Sequence, residues 1–238
     1  MPTYKLDSQG YYQPFPGYTV ISKLNVGQGA QIWHNIFNQL VNNKNITDYY
    51  SILPLSSWHV TAINLFTKDA LENHHLEWGA YAASQQDFLN ELIQELKQNP
   101  LTPMIAYSNL YTKGALQIDV VLDDQSADRI KALAMYYGYE QNLPPCFHIT
   151  LGYQYKKLNS MQLKALQLEL APLIQDYFND LTLQIQPAQV CYFDDMTAFI
   201  SLDKPFLHAM SMFNQSSHAN QTDQTNDHHE FYPSKSSK

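Results

Sequence analysis

The chain has 238 residues, enough for one large domain or two closely joined lobes. It carries 14 Lys and Arg against 22 Asp and Glu, a formal net charge of −8, and Arg129 is the one arginine. That balance excludes a broad electrostatic grip on duplex DNA or on a long RNA body, and leaves room for a local pocket that takes a small phosphate ester. Cys146 and Cys191 are too few for a disulfide framework, and no apolar stretch approaches a membrane span. The expectation is a soluble, cytoplasmic protein, with export by an unrecognised signal left open.

In chain order, Pro14-Phe15-Pro16-Gly17 is a turn-rich entry, and Tyr18–Leu24 has the branching and alternation of a first strand. Apolar residues at Ile32, Ile36, Phe37, Leu40 and Val41 predict a helix over Gln28–Val41, followed by a polar turn at Asn42–Asn45. Ile52–Phe66 contains a strand with Trp58-His59-Val60-Thr61. Phe88, Leu89, Leu92, Ile93 and Leu96 form one stripe of a helix over Gln85–Lys97, closed by Asn99-Pro100. Met104–Tyr111 and Ala115–Leu122 read as neighbouring strands joined through Thr112-Lys113-Gly114. Ser126–Tyr137 reads as a helix capped by Ser126, with Asp128 in its first turn. Phe147–Tyr153 is a strand with Phe147-His148-Ile149-Thr150. Met161–Phe178 is a long helix turning Leu163, Leu166, Leu170, Leu173, Ile174 and Tyr177 inward, with Pro172 placed to kink or split it. Leu181–Ile185, Gln189–Phe193 and Ala198–Leu202 complete the strands. The order predicts an α+β protein of two similar sheet-and-helix lobes around a central cleft, a single bilobal domain over residues 1–213. The composition of 214–238 predicts a polar, disordered tail.

The two histidine–threonine strings carry the chemistry. In a strand the period of two puts His59 with Thr61, and His148 with Thr150, on one face. Trp58 and Phe147 then point away as core anchors. A phosphodiester needs a base for the attacking oxygen and an acid for the leaving oxygen, and two imidazoles supply both near neutral pH. Threonine hydroxyls donate to nonbridging oxygens, and their branched Cβ suits a strand. The plain alternative is a pair of core histidines beside threonines chosen for strand propensity.

His59-Val60-Thr61-Ala62 and His148-Ile149-Thr150-Leu151 resemble the two motifs of the 2H phosphoesterase family, in which a hydrophobic residue follows each threonine. Leu151 fits that position well and Ala62 is a small member of the class. The entry Pro14–Val20 is similar to a bacterial branch of uncharacterised members, and the likeness spans about residues 12–205. The resemblance implies a bilobal fold with pseudo-two-fold symmetry, no required metal or other cofactor, and opening of 2′,3′-cyclic phosphates. It makes His59 and His148 the acid–base pair, in an order left open, and Thr61 and Thr150 the phosphate clamps. The implied partners are a small cyclic nucleotide or a short RNA terminus, without duplex DNA or membrane, and the oligomeric state is open.

Tyr153 enters the cleft only if its strand bends after Gly152; there it would stack on a base or bond a phosphate. Lys156 and Lys157 either meet an anionic substrate or solvate a strand end. Metal chemistry has little support: His74-His75 and His228-His229 lack ligand spacing, although Asp194-Asp195 is acidic. There is no Gly-x-Ser-x-Gly elbow, and Cys146 would share the histidine face while packing as a small hydrophobe. Two other functions stay open: a phosphodiesterase for cyclic or 2′,5′-linked oligonucleotides, and a nucleotide-binding protein without turnover.

Overall fold

The computed structural model describes residues 5–24, 29–72, 77–178 and 181–203. Their strands are β1 (Gly17–Lys23), β2 (Tyr50–Ile52), β3 (His59–Thr67), β4 (Met104–Tyr111), β5 (Ala115–Leu122), β6 (His148–Gln154), β7 (Thr182–Gln184), β8 (Gln189–Phe193) and β9 (Ile200–Ser201). The helices are α1 (Ala30–Val41), α2 (Lys44–Thr47), α3 (Lys68–Glu72), α4 (Trp78–Ser84), α5 (Gln86–Gln98), α6 (Asp124–Tyr136) and α7 (Ser160–Phe178). One compact unit runs as far as Asp203. The boundary expected at residue 213, the tail 214–238 and the pairs His74-His75 and His228-His229 lie outside the described residues.

The nine named strands belong to one antiparallel sheet in the order β7-β4-β5-β6-β3-β1-β8-β9, with β2 also on β6. The expected two lobes are its two wings. One holds β3, β1, β8 and β9; the other holds β6, β5, β4, β7 and β2. They are not consecutive halves of the chain, because β8 and β9 return from the C-terminal side to flank β1. Helix α5 packs on β8, and α7 packs on β4 and α1.

Local chemistry explains most elements. β1 is hydrogen-bonded on both edges and buried along nearly its whole length, so it reads as a continuous run rather than an alternating one. α5 buries Leu89, Leu92, Ile93 and Leu96 on one stripe, while Phe88 is half-buried and stacks on Tyr139 at 5.2 Å. The turn expected at Asn42–Asn45 instead enters α2, because the Asn43 side chain caps it by accepting from Asn45 N at 2.9 Å. The cap of α6 is Asp123 rather than Ser126: its carboxylate accepts from Ser126 N and from Met104 N, both at 2.9 Å, tying the helix start to β4. Ser126 is buried within the helix, and Asp124 rather than Asp128 is the acid of its first turn.

α7 stays one helix through Pro172, which is exposed, so the carbonyl it leaves unbonded can face water. Leu166, Leu170, Ile174 and Phe178 are its buried residues; Leu163, Leu173 and Tyr177 are half-buried. Trp58 is an anchor as expected, 1% exposed, with Nε1 donating to Leu53 O at 3.2 Å. Phe147 is only half-buried, since it precedes β6 and its regular packing.

The wings meet where β3 and β6 pair through Val60 and Ile149. β2 lies on the same edge of β6, from Tyr50–Gln154 to Ile52–Gly152, and residues 53–58 loop out before β3 begins. Gly152 fits there because a Cβ would stand 2.6 Å from Ser51 O and 3.1 Å from Ile52 Cα, both backbone atoms. Gly152→Val should therefore force β2 off β6 and destabilise the fold by about 1–3 kcal/mol, measured as a lower urea midpoint at unchanged m-value. Wild-type stability would show that this approach is relaxed in solution.

Candidate active site

The seam arranges the two histidine–threonine pairs crosswise. One antiparallel step on either side of Val60–Ile149 sets His59 across from Thr150 and Thr61 across from His148. Val60 and Ile149 are buried, at 2% and 0% exposure, whereas the other four are half-buried and line one cavity of about 360 Å³. One face of the seam is core and the other is cleft, as a period of two requires.

Each motif is followed by the same defect. In β3, Ile21 pairs with Thr61 and Val20 with Ile63, so Ala62 is an extra, unpaired residue. In β6, Gln117 pairs with Thr150 and Leu116 with Gly152, so Leu151 is extra. Both are buried β-bulges, which is why the residue after each threonine is apolar. A bulge shifts the strand phase by one, so the third residue after each threonine returns to the cleft. These are Tyr153 and Asn64, and both line the cavity. Tyr153 thus reaches the cleft through a bulge at Leu151, before Gly152 rather than after it. Asn64 was missed in the sequence, although the shared offset from the threonine was a usable signal. Its amide donates to Asn142 O at 3.1 Å, and Asn142 donates back to Leu65 O at 3.1 Å, fixing a rim of the cavity.

Both imidazoles are held the same way. Nδ1 of His59 lies 2.6 Å from Ser57 O, and Nδ1 of His148 lies 2.9 Å from Cys146 O. A carbonyl only accepts, so each Nδ1 carries a proton and each Nε2 is left for the cleft. Among the described residues neither Nε2 nor either threonine hydroxyl makes a hydrogen bond. The edge of Phe199 covers His59 at a ring-centroid distance of 4.2 Å. Burial, above all, pushes the His59 pKa down to about 4, and the fields of His148, Lys23 and Lys5 push the same way; the bond to Ser57 opposes them. His59 is therefore neutral at pH 7, with a basic Nε2 in the cavity.

Other expected candidates fall away from this centre. Lys156 lies over the Tyr49 ring at 5.2 Å, and neither it nor Lys157 lines the cavity. Cys146 is exposed rather than buried, precedes β6, and has its thiol pushed up by partial desolvation and by Asp119. Cys191 is buried with its thiol pushed up to about 12. Asp194 accepts from the Tyr192 hydroxyl, and Asp195 accepts from Thr197 N and Oγ1 at 2.6 Å. Among the described residues no group of three His, Cys, Asp or Glu is placed to hold a metal ion, and no helix is long and apolar enough to cross a membrane. Lys5, which nothing in the sequence singled out, does line the cavity.

Two wings meeting at crossed histidine–threonine strands are the arrangement that the likeness to the 2H phosphoesterase family leads one to expect, and the N-terminal part of the chain is similar to that family. Residues 5–106 match the family model described as 2H-phosphodiest: Domain of unknown function (DUF1868). The uncharacterized protein 127L of Invertebrate iridescent virus 6 is 27% identical over 226 residues, covering 84% of this chain and 94% of the viral protein. Among solved structures, the conserved protein of unknown function ATU0111 from Agrobacterium tumefaciens str. C58 superposes with a TM-score of 0.63 at 19% identity, covering 83% of this chain and 89% of that one. Kluyveromyces marxianus Usb1 gives a TM-score of 0.41 at 14% identity, over 79% of this chain and 97% of that one.

The lowered pKa of His59 has a consequence for stability. Unfolded, the imidazole takes a proton near pH 6.5; folded, only near 4. Between those values the unfolded chain binds more protons, so His59 stabilises the fold fully above pH 6.5 and loses that contribution as pH falls toward 4. Thermal melts of wild type and His59→Gln should converge, or cross, as pH drops from 7 to 4. Parallel curves would place His59 in water.

Proposed function

We propose that this protein is a phosphodiesterase that opens a 2′,3′-cyclic phosphate on a nucleotide or a short RNA end by histidine acid–base catalysis, with no metal in the chemical step. The observation that carries this reading is the crossed placement of two imidazoles, each locked by its own backbone carbonyl so that Nε2 is presented to one cavity. A volume near 360 Å³ suits one nucleotide end rather than a folded RNA.

In this mechanism His59 is the base, because it is neutral at working pH. Its Nε2 takes a proton from water as the water oxygen bonds to phosphorus. The phosphorus–oxygen bond to one ribose oxygen breaks, and that oxygen takes the Nε2 proton of His148, leaving a ribose phosphomonoester. Thr61 and Thr150 donate to the nonbridging oxygens, whose charge grows in the transition state. The two histidines end with their protonation states exchanged and are reset by solvent.

The test is turnover by purified protein, in chelator, of a panel of nucleoside 2′,3′-cyclic phosphates and short cyclic or 2′,5′-linked oligonucleotides. His59→Ala and His148→Ala should each lower kcat by about 10²–10⁴ with intact folding. Thr61→Val and Thr150→Val should each cost about 10²-fold. Turnover confined to cyclic or 2′,5′-linked oligonucleotides would move the substrate to that class, and binding without turnover would make the protein a nucleotide receptor.

The pH profile checks the order of the two histidines. A base must be deprotonated, so kcat/KM should fall as pH drops through the His59 value of about 4 in the free protein. Bound phosphate favours the imidazolium, so the acidic limb of kcat should lie at higher pH than that of kcat/KM. An acidic limb retained in His59→Ala would reverse the assignment.

A further inference from the structure

Lys5 is the one charged side chain other than histidine among the described residues that line the cavity. It arrives on a small hairpin closed by the Leu6–Tyr12 bridge and by Gln13 N donating to Lys5 O at 3.0 Å. The hairpin is pinned to β2 in both directions: Tyr12 Oη donates to Ser51 O at 2.8 Å, and Ser51 Oγ donates to Gly10 O at 2.5 Å. Gly10 takes a φ of 89° at the turn, where a Cβ would stand 2.6 Å from Ser51 Oγ.

Nζ of Lys5 lies over two rings, 5.0 Å from the centroid of Phe15 and 4.9 Å from that of Tyr153, and donates to Tyr153 Oη at 3.2 Å. It is half-buried and pairs with no carboxylate among the described residues, in a chain with 22 acidic residues. Rings attract an ammonium but do not neutralise it, so it keeps two N–H donors and a full charge for something else. Its field also reaches His59.

Position says what it would receive. Tyr153 follows Thr150 on the cleft face by one bulged step, about 7 Å along β6 and away from His148. A ligand that runs on along β6 past the two threonines would meet the Lys5 ammonium at Tyr153, after a step comparable with the spacing of successive phosphates on a nucleic-acid strand. We propose that Lys5 binds a second phosphate of the substrate, adjoining the reacting one, so that the preferred substrate class is an oligonucleotide end or phosphorylated nucleotide rather than a plain nucleoside cyclic phosphate. This rests on the phosphodiesterase reading and names the substrate for the same cleft.

The experiment compares a nucleoside 2′,3′-cyclic phosphate with a dinucleotide ending in the same cyclic phosphate, using wild type, Lys5→Met and Lys5→Arg. Wild type should prefer the dinucleotide. Lys5→Met keeps the aliphatic stem between the rings and should shrink that preference about tenfold, mainly through KM, and Lys5→Arg should restore most of it. The slope of log KM against log salt for the dinucleotide should weaken by about 0.7 in Lys5→Met. Equal losses on both substrates, or no preference in wild type, would overturn the proposal. If no cyclic phosphate is turned over, calorimetric binding of a dinucleoside monophosphate and of a nucleoside reads the same preference directly. A Lys5-dependent preference there would uphold this inference while the catalytic reading fails, and its absence would end both.

Discussion

The pairing of Val60 with Ile149 is the constraint on which the rest of the site depends. It is the described register pair between β3 and β6, and it joins the two wings of the sheet. Its apolar side chains close the core on one face, which obliges the residues on either side to emerge on the other. Because the strands are antiparallel, the same pair that brings the motifs together also crosses them. Each histidine then stands across from the threonine of the other motif, so the proposed proton transfer and charge stabilisation would draw on both wings. A slip of one residue would turn all four side chains into the core.

The two bulges extend that logic. A regular strand would have used positions two apart, and the cleft would have run out of wall after each threonine. The unpaired Ala62 and Leu151 each advance the phase by one, turning Asn64 and Tyr153 onto the cleft face. Asn64 then ties the rim to Asn142, and Tyr153 carries the Lys5 ammonium. The apolar residue that ends each motif is thus the buried member of a bulge, and its constraint is packing rather than contact with substrate.

Electrostatics in the cleft are sparse by construction. An overall charge of −8 repels anions at long range, so affinity for a phosphate must come from short-range donors. In the proposed chemistry the threonine hydroxyls, the imidazole Nε2 positions and one caged lysine would meet that need. Burial of the His59 ring is what lowers its pKa.

Much of this protein was legible from local pattern. Strand branching and helix stripes placed β1, α1, α5, β4, β5, β6, α7 and β8 within a residue or two, because period and propensity act over a few neighbours. The spacing of His59 with Thr61 and of His148 with Thr150 likewise put each pair on one face. The capping of α6 by Asp123 escaped notice because two plausible caps stood three residues apart, and only the second bond to β4 distinguishes them. What the chain alone determined was therefore these longer elements and the two chemical pairs. Tertiary structure decided the crossing of those pairs, the bulges that recruit Asn64 and Tyr153, the arrival of Lys5, and the neutrality of His59. Each of these depends on which distant strand supplies the neighbour, and hydrogen-bond register and burial are properties of that neighbour rather than of the residue itself.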